Sequence, residues 1–109
     1  MTTIKVGVAG LGYWGPNLAR NCAAIPGCEL AWLCDENPAV LERVGTTLPG
    51  ARRTTSLDDV LADGAVDAVV LATPVPTHAA LAERVLDAGK HCFVEKPLGQ
   101  SVEEAERAV

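Results

Sequence analysis

The chain has 109 residues, 49% of them hydrophobic, and a formal net charge of −5 at pH 7. This length suits one domain, which can bury about 60 to 70% of the surface that the unfolded chain exposes and needs no disulfide bond to hold its core. The acidic balance argues against nucleic acid or an anionic membrane surface as a partner, and no window approaches about 18 uninterrupted apolar residues. Met1–Lys5 leads into a strand and not into a signal peptide, so we expect a cytoplasmic protein.

The first predicted strand, Ile4–Ala9, leads directly into a glycine-rich segment. The strand is nearly all apolar, as expected when both faces are buried, and the residues after Gly15 have helical spacing. Between them V-A-G-L-G-Y-W-G contains Gly10, Gly12 and Gly15 in G-x-G-x-x-G order. In this fingerprint the first glycine permits a tight turn, the second lets the backbone approach a pyrophosphate, and the third lets helix and strand pack closely. Strand, glycines and helix together predict a dinucleotide site, whereas the glycines alone would indicate only a turn and a close helix contact.

The second predicted strand, Glu29–Cys34, is followed by an acidic residue. Asp35 lies twenty positions after Gly15, where a carboxylate can accept hydrogen bonds from the adenosine ribose hydroxyls. Asp35 and Glu36 would repel the 2′-phosphate of NADP, and the nearest arginine, Arg43, lies at least a turn into the next helix. We therefore predict NAD as the cofactor, with NADP disfavoured. Asp-Glu-Asn-Pro is also good turn chemistry, so a capping role for Asp35 stays open.

The rest of the chain alternates helix and strand signals without a break in composition. The predicted elements are a helix from Asn37-Pro38 to about Thr47, a strand at Ala51–Thr54, a helix capped by Ser56 and Asp59 through Ala62, a strand at Ala68–Ala72, a helix from Pro76 to Gly89, a strand at His91–Val94 and a helix capped by Ser101 and Glu104. With right-handed crossovers this alternation predicts an α/β fold, a doubly wound parallel Rossmann sheet of strand order 3-2-1-4-5. The last helix has no stop signal before Val109, so we expect residues 1–109 to be a dinucleotide-binding domain truncated before a second domain.

The four cysteines, at positions 22, 28, 34 and 92, have no metal-ligand or redox spacing. They contain no C-x-x-C and have no paired histidine, so neither a zinc site nor a redox motif is indicated. We expect no metal ion and interpret the cysteines as small apolar residues, for which a disulfide would be unexpected in a reducing cytoplasm.

Three motifs follow the strands of this sequence: V-G-V-A-G-L-G-Y-W-G-P-N at the start, A-T-P-x-x-x-H after the fourth strand and V-E-K-P-L after the fifth. Together they resemble the motifs of the Gfo/Idh/MocA oxidoreductases. The resemblance spans the 109 residues and implies a nicotinamide-binding Rossmann domain followed by an α+β domain built on an open sheet. It also implies hydride transfer between NAD and a hydroxyl of a sugar, a nucleotide-linked sugar or a cyclitol.

The resemblance implies a role for individual residues at the strand ends. The implied cofactor-binding residues are Gly10, Gly12, Tyr13, Trp14, Gly15, Asp35, Thr73, Pro74, His78 and Glu95. Lys96 would reach the reacting carbon and bind or polarise the substrate hydroxyl, which makes it the catalytic candidate. Without the resemblance, Glu95-Lys96 would be interpreted as a surface ion pair at the end of a strand. His78 falls in the first turn of a helix, where we expect a neutral imidazole and not the general base.

A function without turnover stays open beside the enzyme. If the natural chain ended at Val109, the face above Lys96 would have no lid to exclude water, and this fragment alone is expected to be inactive. A stand-alone NAD(H)-binding module or accessory subunit would then fit better. Substrate identity would be set by the absent domain, and the exposed sheet surface is compatible with a homo-oligomer.

Overall fold

A five-stranded parallel sheet forms the centre of the chain in the computed structural model, which describes residues 3–12, 15–73 and 77–94. The strands are β1 (Ile4–Ala9), β2 (Cys28–Cys34), β3 (Arg52–Thr54), β4 (Ala68–Leu71) and β5 (His91–Val94). Their order is β3-β2-β1-β4-β5 and all neighbouring pairs are parallel. The predicted doubly wound sheet is confirmed, and the carboxyl ends of β1, β2 and β4 therefore lie along one edge.

Within residues 3–12, 15–73 and 77–94, four helices cover the two faces of this sheet. They are α1 (Gly15–Ala24), α2 (Pro38–Gly45), α3 (Leu57–Ala62) and α4 (His78–Asp87). One hydrophobic cluster joins Val6 and Val8 of β1 to Ala19 of α1 and to α2. A second cluster joins Ala9 of β1 to Val60 of α3 and to α4. Because side chains alternate along a strand, β1 supplies both clusters and is the central strand of the core.

The packing of α3 on the sheet depends on a glycine in β1. A Cβ added at Gly7 would lie 2.8 Å from Cγ1 of Val60 and 3.5 Å from Cβ of Trp32. The pairing of β1 with β2 also shifts register between Val6 and Gly7. The absence of a side chain at Gly7 therefore lets α3 approach the centre of the sheet.

One end of α2 agrees with the sequence-based prediction and the other differs from it. Asn37 caps α2 as expected, accepting a hydrogen bond from Ala39 N at 3.0 Å. The helix ends at Gly45 and not near Thr47, because the hydroxyls of Thr46 and Thr47 bond back to carbonyl oxygens three residues earlier.

The capping pattern predicted at Ser56 is wrong. Ser56 occupies the N-cap position of α3 but makes no side-chain capping bond. The Asp59 carboxylate instead accepts a hydrogen bond from the Thr54 hydroxyl. Pro76, predicted to open α4, and the predicted helix after Ser101 lie outside the described residues.

A buried lysine stabilises the end of the sheet at which the strands begin. Lys90, directly before β5, is 7% exposed. Its Nζ donates hydrogen bonds to the carbonyl oxygens of Asp63, at 2.8 Å, and Val66, at 2.9 Å. This ammonium therefore satisfies two backbone acceptors between α3 and β4.

Within the described residues, no helix combines the length and the apolar character needed to cross a membrane.

Candidate functional site

The candidate site begins at the turn after β1. Gly10 has φ +94° and donates its N–H to the carbonyl oxygen of Cys34 at 2.8 Å. A Cβ at this position would lie 2.6 Å from the carbonyl carbon of Ala72 and 2.7 Å from Thr73 N. Positive φ and contact with the end of β4 thus both require glycine here.

The other two glycines of the fingerprint differ sharply in their surroundings. A Cβ added at Gly15 would lie 1.8 Å from the Gly10 carbonyl oxygen, so α1 starts in direct contact with the turn. A Cβ added at Gly12 would meet no atom of the described residues within 4 Å, and Gly12 is exposed. The turn is therefore tightly packed at Gly10 and Gly15, whereas the backbone at Gly12 is open to solvent. This is the arrangement in which helix N–H groups can receive a phosphate.

Asp35 connects the glycine turn to the start of α2. Its Oδ2 accepts the N–H of Leu11 at 2.7 Å, and its Oδ1 accepts the N–H of Asn37 at 2.8 Å. The backbone N–H of Asp35 donates to the carbonyl oxygen of Thr54 at 3.2 Å. A carboxylate has about four acceptor positions, so capacity for further donors remains. The turn role and the ligand role considered for Asp35 are compatible in this geometry.

This end of the sheet has a negative electrostatic environment. Burial, followed by the charges of Asp35, Asp59 and Glu36, raises the pKa of the Cys34 thiol to about 11, and Arg84 opposes this effect. Arg84 itself is hydrogen-bonded to the Asp58 carboxylate. Negative charge at the ends of β2 and β3 disfavours the binding of a phosphate group there.

Thr54 is a residue of the site that sequence reasoning missed. It is buried, and its hydroxyl accepts the N–H of Ser56 at 3.0 Å while bonding to the Asp59 carboxylate. Because its carbonyl oxygen holds Asp35 N, Thr54 links the end of β3 to the acidic residue after β2. The only sequence signal was its position at the predicted end of a strand.

The end of β4 brings Thr73 to the glycine turn. Ala72 N donates to the carbonyl oxygen of Ala9 at 2.8 Å, which holds the segment after β4 beside β1. The Thr77 hydroxyl donates to the Thr73 hydroxyl at 2.8 Å, at the start of α4. The structure thus places Thr73 close to Gly10, as the strand order predicted.

Several candidate residues lie outside this description. Tyr13, Trp14, Pro74, Glu95 and Lys96 are outside the described residues, and so is the side chain of His78, whose backbone begins α4. Among the described residues, no group of three or more His, Cys, Asp or Glu could hold a metal ion. The residues that the structure does bring together are Gly10, Gly12, Gly15, Asp35 and Thr73.

The sequence matches the profile of a known protein family. The profile of the family GFO_IDH_MocA, described as "Oxidoreductase family, NAD-binding Rossmann fold", matches residues 4–109. UDP-N-acetylglucosamine 3-dehydrogenase of Acidithiobacillus ferrooxidans is 39% identical over 109 residues, which are 100% of this chain and 33% of that protein.

Solved structures show the same backbone. GenD2 from gentamicin A biosynthesis, in complex with NAD, superposes with a TM-score of 0.93 at 39% identity, over 99% of this chain and 31% of that one. Scyllo-inositol dehydrogenase from Lactobacillus casei, with bound NAD(H) and scyllo-inositol, gives 0.88 at 35% identity, over 98% of this chain and 32% of that one. The chain thus spans about a third of the length of these proteins. The expected family, fold and NAD cofactor are confirmed.

Proposed function

Because the chain belongs to the GFO_IDH_MocA oxidoreductase family with its NAD-binding Rossmann fold, we propose that it is the cofactor-binding part of an NAD-dependent dehydrogenase. The enzyme transfers a hydride between the nicotinamide ring and a hydroxyl-bearing carbon of a sugar, a nucleotide-linked sugar or a cyclitol. This substrate class is supported by similarity to a UDP-N-acetylglucosamine 3-dehydrogenase and a scyllo-inositol dehydrogenase.

The observation that supports the proposal most strongly is the contrast between the glycines of the turn. Gly10 and Gly15 are closed in by backbone atoms, while a Cβ at Gly12 would meet no atom of the part of the chain that the structure describes. A turn needed only for packing has no requirement for glycine at an open, exposed position. A pyrophosphate lying against the backbone supplies that requirement.

The residues present fit two parts of the cofactor, the pyrophosphate and the adenosine ribose. The backbone at Gly12 and the start of α1 would hold the pyrophosphate, and Asp35 would accept hydrogen bonds from the adenosine ribose hydroxyls. The N–H of Leu11 is already donated to Asp35, so the phosphate would be held by other backbone groups of the loop and helix. When bound, nicotinamide supplies the hydride acceptor or donor.

Selection of NAD over NADP follows in this proposal from charge. Asp35, Glu36 and Asp59 all act on the buried thiol of Cys34, which places three carboxylates around the ends of β2 and β3. A 2′-phosphate would enter this negative field, and Arg84, which opposes it, already contacts Asp58. We therefore expect the ribose to be recognised with its 2′-hydroxyl free.

The chemical step in this proposal depends on residues that follow β5. Lys96, two positions past Val94, would bind the substrate hydroxyl and follow the charge that develops as its proton leaves. Glu95 would lie near the nicotinamide ribose, with Thr73, Pro74 and His78 beside the cofactor and Tyr13 and Trp14 on its nicotinamide side. The carboxyl end of β5 lies on the same sheet edge as that of β1, which is consistent with these roles.

Substrate recognition is proposed to belong to sequence outside these 109 residues. The relatives reported above are about three times as long as the aligned segment. Phe93 of β5 is 57% exposed, so its ring offers apolar surface that a second domain would cover.

The test uses protein isolated from its native source, whose intact mass is measured first. We expect a mass well above 11.3 kDa, the mass of the 109 residues. Reduced nicotinamide should form when NAD is supplied with at least one of UDP-N-acetylglucosamine, scyllo-inositol and myo-inositol. Lys96→Met should lower kcat by about 100-fold or more, whereas Lys5→Met, at the other edge of the sheet, should not.

Three results together would contradict the enzyme proposal. A native mass of 11.3 kDa, together with saturable NADH binding and no turnover on any of these substrates, would favour the stand-alone NAD(H)-binding module. Normal turnover in Lys96→Met would overturn the role given to Lys96 alone.

A further inference from the structure

The carbonyl oxygen that holds the backbone of Asp35 belongs to the last residue of a short edge strand. β3 has three residues, Arg52–Thr54, and of the described strands it pairs with β2 alone. Thr54 lies opposite Cys34 in this pairing, and its carbonyl oxygen accepts the N–H of Asp35 at 3.2 Å. An edge strand of this length is held by few backbone hydrogen bonds. Bonds from the Thr54 side chain therefore contribute to fixing the end of β3.

The side chain of Thr54 is buried, and its hydroxyl is used both as an acceptor and as a donor. The hydroxyl accepts the N–H of Ser56 at 3.0 Å and lies 3.3 Å from the carbonyl oxygen of the same residue. It also forms a hydrogen bond with the Asp59 carboxylate. A hydroxyl has a single proton to donate, and a carboxylate is a stronger acceptor than a carbonyl oxygen. The proton therefore goes to Asp59, which fixes the direction of the hydroxyl.

Asp59 is itself held to the centre of the sheet by α3. It lies in the first turn of that helix, and the next residue, Val60, is 1% exposed. Val60 packs beside Gly7 of β1, where an added Cβ would lie 2.8 Å from its Cγ1. The contacts therefore run from β1 through α3 to Asp59, and from Asp59 through Thr54 to the backbone of Asp35.

The direction of the Asp35 carboxylate depends on the position of this backbone. Its Oδ2 accepts the N–H of Leu11 at 2.7 Å, and its Oδ1 accepts the N–H of Asn37 at 2.8 Å. The remaining acceptor positions of the two oxygens are the ones available to the adenosine ribose hydroxyls. A displacement of the Thr54 carbonyl oxygen would turn these positions away from the ribose, because hydrogen bonds weaken steeply when they are misaligned.

We propose that Asp59, acting through Thr54, is a positioning residue for the recognition of the adenosine ribose by Asp35. This inference rests on the proposed function, in which Asp35 binds that ribose. Asp59 holds the Thr54 hydroxyl and does not need to touch the cofactor. Its loss should weaken the bonds between Asp35 and the ribose hydroxyls more than the contacts of the pyrophosphate with the backbone at Gly12.

The test compares NADH with its analogue that lacks the 2′-hydroxyl of the adenosine ribose. The Kd of each ligand is measured on the purified protein from the fluorescence of the reduced nicotinamide ring. Hydrogen bonds to a charged group predict that the wild type binds NADH at least about tenfold more tightly than the analogue. In Asp59→Ala this preference should fall below about threefold. A general loss of structure would weaken both ligands equally and leave the preference unchanged.

Conservative and neighbouring substitutions serve as controls. Asp59→Asn and Thr54→Ser keep a hydrogen bond between positions 54 and 59, so both should retain the preference for NADH. Asp58→Ala should retain it as well, since the Asp58 carboxylate bonds to Arg84 and not to Thr54. In the Asp35→Ala background, Asp59→Ala should cause no further change in the preference, because the group that it positions is absent.

A measurement on the unsubstituted protein covers the case in which a variant does not fold. The Ser56 N–H is bonded to the Thr54 hydroxyl, so its amide resonance in an NMR spectrum reports on this network. Saturation with NADH should shift that resonance more than saturation with the 2′-deoxy analogue.

The possible failures are distinguishable. Equal shifts of the Ser56 resonance, an unchanged preference in Asp59→Ala, or an Asp59→Asn variant that behaves like Asp59→Ala would each overturn the positioning role and leave the NAD site standing. Absence of NADH binding by the wild-type protein would overturn the proposed function, and the role of Asp59 with it.

Discussion

Alanine substitutions at Gly12 and Gly15 should separate folding from cofactor binding. In Gly15→Ala the new Cβ would lie 1.8 Å from the carbonyl oxygen of Gly10, and both atoms belong to backbone that cannot rotate away. Helix α1 must then move away from the end of β1. We expect the free energy of unfolding to fall by at least about 3 kcal/mol, the upper part of the usual range for overpacking.

Gly12→Ala should behave in the opposite way. Apart from its neighbours in the chain, its Cβ would meet no described residue within 4 Å, and Gly12 is not among the described glycines with positive φ. The substitution should therefore leave stability unchanged or raise it by about 0.4 to 1 kcal/mol, because the unfolded chain loses conformational freedom. The methyl group would occupy the space proposed for the pyrophosphate, so the Kd for NADH should rise at least about tenfold, or about 1.4 kcal/mol.

Urea unfolding and the fluorescence of NADH on titration measure these two quantities on the same preparations. Unchanged NADH binding by Gly12→Ala would refute the placement of the pyrophosphate at this backbone. Wild-type stability in Gly15→Ala would refute the contact between α1 and the turn. A loss of stability in Gly12→Ala would refute the open space described around Gly12.

Three further expectations concern stability. Lys90→Met should lower the free energy of unfolding in urea by about 1 to 3 kcal/mol, because two buried carbonyl oxygens lose their donor. Lys5 is 42% exposed and lies 3.9 Å from its carboxylate partner, so Lys5→Met should lower it by less than about 1 kcal/mol. Equal effects of the two substitutions would contradict the buried role of Lys90. Thr54→Val should lower the free energy of unfolding by about 1 to 3 kcal/mol, because the Ser56 N–H loses its acceptor. Unchanged stability would contradict the hydrogen-bond network at the end of β3. Because the thiols of Cys34 and Cys92 have their pKa raised from 9.0 to about 11, the folded state holds their protons more tightly than the unfolded state. The contribution of these two thiols to the free energy of unfolding should thus be fully present below pH 9 and be lost as pH rises toward 11. A rise in stability over that range would contradict the raised pKa of the two thiols.

The sheet was predictable from sequence because its signals are local. β1 and β5 have the bounds that their apolar runs indicated, and the strand order followed from the handedness of crossovers. The glycine turn was predictable for the same reason, since Gly10, Gly12 and Gly15 are close together in sequence. These features need no knowledge of distant contacts.

The interactions that position the site depend on contacts that sequence spacing does not reveal. The bond from Leu11 N to Asp35 joins residues 24 positions apart, and no local pattern indicates it. Ser56 and Asp59 had the spacing of a capping pair, but the Thr54 hydroxyl competes for the Asp59 carboxylate. Lysine is usually a surface residue, and only the folded chain brings the carbonyl oxygens of Asp63 and Val66 to Lys90.

The central claim is that Asp35 and the open turn at Gly12 bind NAD in preference to NADP. It is tested most directly by titrating the purified chain with NADH and with NADPH, for the wild type, Asp35→Asn and the control Asp58→Asn, whose parent side chain contacts Arg84 on the surface. We predict saturable binding of NADH that is tighter than that of NADPH in the wild type and the control, and loss of this preference in Asp35→Asn. Equal affinities in the wild type, or a preference that survives in Asp35→Asn, would contradict the account.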